Sequence, residues 1–142
     1  MNNLNSGKHL ILVDGSGFIF RAYHALPPLK KSDGTPTGAV SGYCNMLFKL
    51  INEIKEFQAT HIAVVFDHKD KTFRSDIYKD YKANRPPPPD DLVPQFQLIR
   101  EATEAFGFFA IDKKGYEADD IIATLSQNAT EEGTDVTTVS YT

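Results

Sequence analysis

Two short, continuous apolar runs stand out along the chain, residues 9–13 and residues 62–66, and each is followed directly by an aspartate. Continuous apolar runs of this length are typical of strands that are buried on both faces. Residues 108–111 and residues 136–139 form two further short runs. The pattern therefore predicts four short strands.

Longer stretches between these runs have apolar residues at helical spacing. The pattern over residues 37–57 predicts a helix, with Thr37 as its candidate N-cap. Residues 92–106 predict a second helix that stops at Gly107, and residues 117–129 predict a third. Strands that alternate with helices indicate an α/β fold with a mostly parallel central sheet flanked by helices.

The segment 69–91 departs from this alternation. Four consecutive prolines at 86–89 exclude a helix there and favour a stiff, extended chain. We interpret the segment as a long exposed excursion, and loops of this length are often functional. Its cations could follow phosphates while its rings stack on bases, which favours contact with single-stranded nucleic acid over a merely solvated loop. These cations and rings are Lys69, Lys71, Arg74, Lys79, Lys82, Arg85, Phe73, Tyr78 and Tyr81.

Carboxylates occur at three places that such a fold would bring together. Asp14 and Asp67 follow buried strands, and the carboxyl ends of parallel strands meet at one edge of a sheet. Glu117, Asp119 and Asp120 open a predicted helix, where Glu117 and Asp120 share a face. In simpler interpretations, acids in a first helical turn only favour the helix dipole, and an aspartate after a strand is only a turn residue. The combination of all three favours a metal site.

Several ionised carboxylates in one pocket need a counter-charge, because like charges destabilise each other. Ligand sets made only of oxygen select hard cations, so we expect Mg²⁺ or Mn²⁺ rather than zinc. Two such ions, about 3.5–4 Å apart, could activate a water and stabilise the leaving oxygen of a phosphodiester. The carboxylates thus predict phosphodiester chemistry.

Composition and charge change this picture little. The chain has 142 residues, of which 41% are hydrophobic and 24% charged, and fits one soluble domain over residues 1–142. A net charge of −4 argues mildly against a nucleic-acid binder. The basic segment and the acids are separate in the sequence, however, so the net charge alone does not decide whether the chain binds nucleic acid. Cys44 is the single cysteine, which excludes an internal disulfide and favours a reducing, cytoplasmic compartment. We expect no signal peptide and no membrane span.

Two other patterns carry less information. The residues Asp14-Gly-Ser-Gly17 resemble the start of a dinucleotide fingerprint, but its third glycine is replaced by Phe20, so we expect no nucleotide cofactor. We expect the glycines to let the backbone turn tightly at the strand end. The four histidines show no paired ligand spacing. Ordinary polar contacts are therefore favoured for them, although His24 and His68 could approach the acids.

Several segments together resemble the 5′ nuclease family of bacterial polymerase I. They occur in the family's order and run from about Lys8 to Ser140, nearly the whole chain. The segments are Leu10-Ile-Leu-Val-Asp-Gly-Ser, Arg21-Ala-Tyr-His-Ala, Thr35-Pro-Thr-Gly-Ala, Val64-Val-Phe-Asp67, Lys71-Thr-Phe-Arg74, Tyr81-Lys-Ala-Asn-Arg-Pro-Pro87 and Gly115-Tyr-Glu-Ala-Asp-Asp-Ile121.

This resemblance implies a PIN-like fold and a metal-dependent 5′→3′ exonuclease or flap endonuclease, acting on DNA with a 5′ end or flap in replication, primer removal and repair. It implies Mg²⁺ or Mn²⁺, with two ions in the complete domain. Lys82 and Arg85 would hold the scissile phosphate from a helical arch at 69–91. The implied metal ligands are Asp14, Asp67, Glu117, Asp119 and Asp120. Arg21, Tyr23 and Arg74 would be DNA contacts or supports, together with Lys71, Phe73, Tyr78 and Tyr81 from the excursion.

The family carries further aspartates after its last matching strand, where this chain reads Ser140-Tyr141-Thr142. We therefore expect the chain to be the front part of the domain, and the rest of a polymerase I chain to be a candidate partner. Three alternatives stay open: a DNA-binding remnant without catalysis, a PIN-type ribonuclease, and a phospho-receiver domain. Metal-dependent cleavage tests the first and a preference for RNA tests the second. The third gives no reason for the basic excursion.

Overall fold

A computed structural model describes residues 7–68 and 88–140 of the chain. Within these ranges the strands are β1 (His9–Asp14), β2 (His61–Val65), β3 (Phe109–Ile111) and β4 (Asp135–Val139). The helices are α1 (Gly15–Ala25), α2 (Gly38–Ile54), α3 (Gln95–Ala105) and α4 (Ala118–Glu131), and a 3-10 turn, Lys55–Phe57, extends α2. No helix in the described part of the chain is long and apolar enough to cross a bilayer.

The four strands form one parallel sheet in the order β3-β2-β1-β4. Asp14 pairs with Val65, so β1 and β2 end at nearly the same level. Val13 pairs with Val139 on the other side, and Val65 pairs with Ile111. All four strands therefore end together at one side of the sheet, which we term the carboxyl edge. The predicted α/β fold with a parallel sheet is confirmed.

Helices cover both faces of the sheet. The larger core lies on one face, where α1, α2 and α3 pack over Ile11, Val13 and Val64. The smaller core lies on the opposite face, where α4 packs over Leu12 and Val65. Strands with apolar side chains on both faces explain the continuous apolar runs in the sequence.

The start of α2 is stabilised differently from what the sequence predicts. Thr37 precedes the helix as expected, but its side chain makes no capping hydrogen bond. Instead, the buried side chain of Gln95 accepts a hydrogen bond from the amide of Val40 at 3.0 Å. The same side chain donates to the carbonyl of Asp91 at 2.8 Å. The Gln95 side chain from α3 thus caps α2, because the first backbone N–H groups of a helix need an acceptor.

Helix α3 begins three residues later than the predicted start at residue 92. Residues 91–94 form a turn, and Pro94 directly precedes the first helical residue. The residue before a proline is disfavoured from helical conformation, which explains the late start. Gly107 ends the helix as predicted, with a positive φ of 88° that glycine adopts without a steric penalty.

The sequence patterns did not predict α1, which follows β1 without any loop. Its first residue, Gly15, is helical, so the predicted tight turn at the glycines is wrong. Glycine is needed there for space: an added Cβ would lie 2.5 Å from the Phe66 ring and 2.8 Å from Val64 Cγ1. This close approach places the start of α1 directly on β2.

Cys44 lies on α2, where its side chain is half-buried. Burial nevertheless raises the pKa of its thiol above the ordinary value. A raised pKa keeps the thiol protonated and poorly reactive near neutral pH.

Candidate metal centre

Asp14 is the last residue of β1 and is 8% exposed. Its Oδ1 accepts a hydrogen bond from the amide of Gly17 at 3.1 Å, which makes Asp14 the N-cap of α1. Its Oδ2 accepts a hydrogen bond from the Ser140 hydroxyl at 3.0 Å. Because Ser140 directly follows β4, the Asp14 carboxylate is fixed between the start of α1 and the end of β4.

Asp67 lies two residues beyond β2 at the same edge. Its amide donates to the Ser16 hydroxyl oxygen at 3.0 Å, which links it to the first turn of α1. Its Oδ1 accepts a hydrogen bond from the amide of Ala118 at 2.7 Å. Asp67 is therefore connected to Ser16 in the first turn of α1 and to the start of α4.

The three acids of α4 have different environments. Glu117 is the N-cap of the helix and is 6% exposed, whereas Asp119 is exposed and Asp120 is half-buried. Glu117 and Asp120 form a capping box, in which Asp120 Oδ2 accepts from the Glu117 amide at 3.1 Å. The simpler interpretation of these acids, a role in starting the helix, is therefore realised in the structure. It leaves room for a second role, since capping engages only part of the oxygen set.

The structure brings the five predicted ligands to one edge, but not into one tight cluster. Within residues 7–68 and 88–140, no three Asp, Glu, His or Cys side chains are close enough together to hold one ion. Asp14 and Asp67 are linked through α1, and Asp67 is linked to the α4 acids through Ala118. A set of separate carboxylates suits Mg²⁺, which usually keeps several of its waters and takes only one or two carboxylates directly.

Asp14 and Asp67 differ from Asp112, the acid that follows β3, in the charge of their partners. Among the described residues, the donors to these two carboxylates are two amides and one hydroxyl, all neutral, so no charge from this part of the chain offsets their negative charge. Asp112, the residue after β3, is instead paired with the Arg100 guanidinium at 2.5 Å. The carboxylates of Asp14 and Asp67 are therefore better suited to bind a hard divalent cation than the carboxylate of Asp112, which is already paired with a cation.

Two of the predicted DNA-contacting residues lie on α1. Arg21 is exposed on this helix. The hydroxyl of Tyr23 donates to Asp91 Oδ1 at 2.7 Å, and its ring packs edge to face on His24 at 5.0 Å between centroids. The hydrogen bond to the Asp91 carboxylate raises the pKa of Tyr23, because it stabilises the protonated phenol. Tyr23 thus connects α1 to Asp91, the last residue of the predicted excursion.

The remaining predicted contacts fall outside the described residues. This applies to both residues expected to hold the scissile phosphate and to most of the predicted arch at 69–91. The residues concerned are Lys71, Phe73, Arg74, Tyr78, Tyr81, Lys82 and Arg85.

The described histidines agree with the expectation of ordinary polar contacts in one clear case. His9 Nδ1 lies 2.8 Å from the carbonyl of Phe57, and its Nε2 lies 2.7 Å from the Thr137 hydroxyl. Since a carbonyl can only accept, Nδ1 carries the proton in the neutral ring. His24 is exposed on α1. His68, by contrast, directly follows a candidate ligand at the carboxyl edge.

Sequence reasoning missed four residues that shape this edge: Ser16, Ser140, Asp112 and Arg100. Asp112 could have been found, since it follows a predicted strand just as Asp14 does. The contact between Arg100 and Asp112 joins two elements across 12 positions, and no local pattern marks it. The two serine contacts span 51 and 126 positions and likewise depend on the fold.

Residues 9–141 match the family described as "5'-3' exonuclease, N-terminal resolvase-like domain". A DNA polymerase I of Rhizobium leguminosarum is 58% identical in an alignment 142 positions long that covers 96% of this chain and 14% of that protein. A 5'-3' exonuclease of Aquifex aeolicus is 44% identical over 89% of this chain and 43% of its own length. A 5'-3' exonuclease of Bacillus subtilis is 41% identical over 96% of this chain and 46% of its own length. The chain thus spans less than half the length of these relatives.

Solved structures support the fold independently. A T5 protein co-crystallised with metal ions superposes with a TM-score of 0.64 and 21% identity, over 95% of this chain and 48% of that one. The bacteriophage T5 flap endonuclease in a pseudo-enzyme-product complex with DNA and metal ions superposes with a TM-score of 0.62 and 22% identity, over 94% and 48%. At these identities the likeness establishes the fold.

Proposed function

Because the chain belongs to the family of 5'-3' exonuclease N-terminal resolvase-like domains, we propose that it supplies part of a metal-dependent nuclease centre for DNA with a 5′ end or flap. The two 5'-3' exonuclease relatives and the flap endonuclease structure support this substrate class. The domain assignment, residues 1–142 with a basic arch at 69–91, is part of the same proposal.

One observation carries the proposal. The Asp67 carboxylate accepts a hydrogen bond from the Ala118 amide at 2.7 Å. This contact holds the acid that follows β2 against the acidic start of α4, on the same edge as Asp14. Two strands and a helix thus bring acids to one edge of the sheet, which a purely structural cap at α4 would not require.

The proposed cation ligands are Asp14, Asp67, Glu117, Asp119 and Asp120. Bound Mg²⁺ or Mn²⁺, as one ion or two, supplies positive charge that stabilises charge developing on a phosphodiester. Asp14 and Asp67 are held in place by neutral donors before any cation arrives, so little reorganisation is needed. A superposed T5 5'-exonuclease was solved with zinc, whereas the oxygen-only set in this chain favours the harder ions.

The chain's cations and rings would bind the nucleic acid. Lys82 and Arg85 bind the scissile phosphate in this proposal, because a guanidinium and an ammonium match phosphate charge. Arg21 and Tyr23 contact the substrate from α1. Contacts from the basic segment are assigned to Lys71, Phe73, Arg74, Tyr78 and Tyr81, and phosphate contacts of this kind make binding depend on salt.

The relatives suggest the setting. The R. leguminosarum match is named DNA polymerase I, and this chain corresponds to 14% of it. We infer that the rest of a polymerase I is the partner, and that the centre removes 5′ ends or flaps during replication and repair. A single cysteine fits the reducing cytoplasm as the place of action.

The experiment is a cleavage assay with the full chain and a 5′-labelled flap duplex, with Mg²⁺, with Mn²⁺ and with a chelator. The variants are Asp67→Asn and, as a matched control, Asp135→Asn at the opposite end of the sheet. We expect metal-dependent cleavage that falls by about 1000-fold in Asp67→Asn, because several kcal/mol of stabilisation are lost. Asp135→Asn should cleave like the parent chain.

Other outcomes would redirect the assignment. A folded chain that binds the flap duplex without cutting it in either metal would identify a DNA-binding remnant. An RNA flap of the same sequence is the second substrate in the assay. Faster cleavage of RNA than of DNA would favour the PIN-type ribonuclease.

A further inference from the structure

Asp112 and Arg100 form a charged pair at the carboxyl edge, beside the candidate metal centre. Asp112 directly follows β3, and its Oδ1 accepts a hydrogen bond from Arg100 Nη2 at 2.5 Å. The same Nη2 lies 3.3 Å from the carbonyl oxygen of Ala110. Both side chains are partly buried, with 33% and 22% exposure for Arg100 and Asp112. The guanidinium therefore holds the end of β3 to α3.

The other oxygen of Asp112 reaches toward the loop of Asp67. Its Oδ2 lies 3.6 Å from Nε2 of His68, which is within ion-pair range but beyond hydrogen-bond range. Both side chains are about one-fifth exposed, with 20% for His68 and 22% for Asp112. His68 follows Asp67 in the chain, so a contact at His68 acts within one residue of a proposed ligand.

Three consecutive residues at this point are each connected to another element. The amide of Phe66 donates to the carbonyl of Ile111 in β3 at 2.8 Å, and the amide of Asp67 donates to Ser16 in α1 at 3.0 Å. The third residue, His68, contacts Asp112 through its ring. The backbone pairing of β2 with β3 ends at Ile111. The side-chain contact between His68 and Asp112 therefore extends the connection one residue beyond the end of β3.

We propose that Asp112 and Arg100 are positioning residues for the Asp67 carboxylate. Arg100 fixes Asp112, Asp112 orients His68, and the short backbone between His68 and Asp67 transmits this constraint to the proposed ligand. The inference rests on the proposed function, because it assumes that Asp67 binds a divalent cation. It extends that function to two residues that contact neither cation nor substrate. Outer contacts of this kind commonly decide how well a ligand is presented to a metal.

Long-range electrostatics makes a different prediction, and the sign of the effect distinguishes the two. Replacing Asp112 by asparagine removes a negative charge, and replacing Arg100 by glutamine removes a positive one. If only net charge mattered, the first change would weaken cation binding and the second would strengthen it. If the pair positions Asp67, both changes weaken cation binding.

The test is calorimetric titration of the metal-free full chain with Mn²⁺, without DNA. We expect Asp112→Asn and Arg100→Gln each to raise the Kd for Mn²⁺ by about 10-fold, the lower end for an outer-shell contact. The matched control is Glu101→Gln, which removes an exposed charge from the same helix and should leave the Kd unchanged. Opposite shifts in the two variants, or no shift in either, would overturn the proposal.

A double-variant cycle tests the route through His68. His68→Gln alone should weaken Mn²⁺ binding, and adding Asp112→Asn should weaken it no further, because both changes break one path. Additive losses would overturn the route. If Asp112→Asn does not fold, Arg100→Lys, which keeps the charge but loses the planar fork, carries the test and should also raise the Kd.

The same titration separates this inference from the proposed nuclease function. A chain that binds Mn²⁺ but cuts no flap contradicts the nuclease proposal and leaves the positioning inference intact. A chain that binds Mn²⁺ with equal affinity in all variants contradicts only the positioning inference. A parent chain that binds no Mn²⁺ contradicts both.

Discussion

The Asp67 carboxylate and the Ala118 amide are joined by a hydrogen bond of 2.7 Å. The acid lies two residues after β2 and the amide belongs to the first residue of α4, so the bond connects the end of β2 to the start of α4 at the carboxyl edge. The bond uses Oδ1, and no residue in the described ranges 7–68 and 88–140 donates a hydrogen bond to Oδ2. One carboxylate can thus stabilise the fold with one oxygen and offer the other to a cation.

Two substitutions of Asp67 should distinguish its role in stability from its role in cation binding. Asp67→Asn keeps an oxygen acceptor for the Ala118 amide, so we expect the free energy of unfolding to change little. Asp67→Ala removes the acceptor and should lower it by about 1 kcal/mol, the usual cost of losing a helix cap. Urea denaturation of the metal-free chain measures both. Equal losses in the two variants would show that the negative charge, rather than the acceptor, stabilises the start of α4.

Ser140 offers a second test, because its hydroxyl donates to the buried Asp14 carboxylate at 3.0 Å. Ser140→Ala should lower the free energy of unfolding by about 1.5 kcal/mol, since a hydrogen bond to a charged group is lost. Ser140→Thr keeps the hydroxyl and serves as the control, with a much smaller expected loss. Urea denaturation again gives the values. If the threonine variant loses as much as alanine, packing and not the hydroxyl matters at this position.

The sequence predicted the sheet well because buried parallel strands leave a direct mark on it. Residues 9–13 and 62–66 are continuously apolar, and they correspond to β1 and β2 within one residue at each end. Asp14 and Asp67 follow from the same pattern, because the end of each apolar run is also the carboxyl end of a strand. Their placement on one edge needed only the rule that parallel strands end together.

Helix α1 was missed for a local reason. The residues Asp14-Gly-Ser-Gly17 look like a turn, and glycine has a poor helix propensity. The fold overrides this propensity, because only glycine at position 15 allows α1 to approach Phe66. A usable signal was present: Asp14 is a good N-cap, and Phe18, Ile19 and Ala22 have helical spacing. The side-chain contacts across the edge depend on tertiary structure and have no such signal.

The close approach at Gly15 leads to a prediction about packing. In Gly15→Ala the new Cβ would lie 2.5 Å from the Phe66 ring, so the ring or the helix must move. We expect the free energy of unfolding to fall by about 2 kcal/mol, as is usual for overpacking. The double variant Gly15→Ala with Phe66→Leu should recover part of the loss relative to the sum of the two single changes. Strictly additive losses would place the strain elsewhere than at this ring.

Tyr43 and Thr103 form a buried hydrogen bond of 2.6 Å between α2 and α3. The Thr103 hydroxyl also lies 2.9 Å from the carbonyl of Ile99, which can only accept, so the single hydroxyl proton of Thr103 points there. The Tyr43 hydroxyl is therefore the donor to Thr103. Burial raises the pKa of Tyr43 above its ordinary value of 10.0, because the phenolate would be poorly solvated.

A raised pKa makes stability depend on pH in the alkaline range. Tyr43 stabilises the folded chain fully below the unfolded pKa of 10.0, and this contribution is lost as the pH rises from there toward the higher folded pKa. The free energy of unfolding should fall by about 1.4 kcal/mol per pH unit in that window. Tyr43→Phe should remove this slope and cost about 1 kcal/mol at neutral pH. Urea denaturation of both chains on either side of pH 10 tests this, and parallel pH profiles would show that Tyr43 ionises equally in both states.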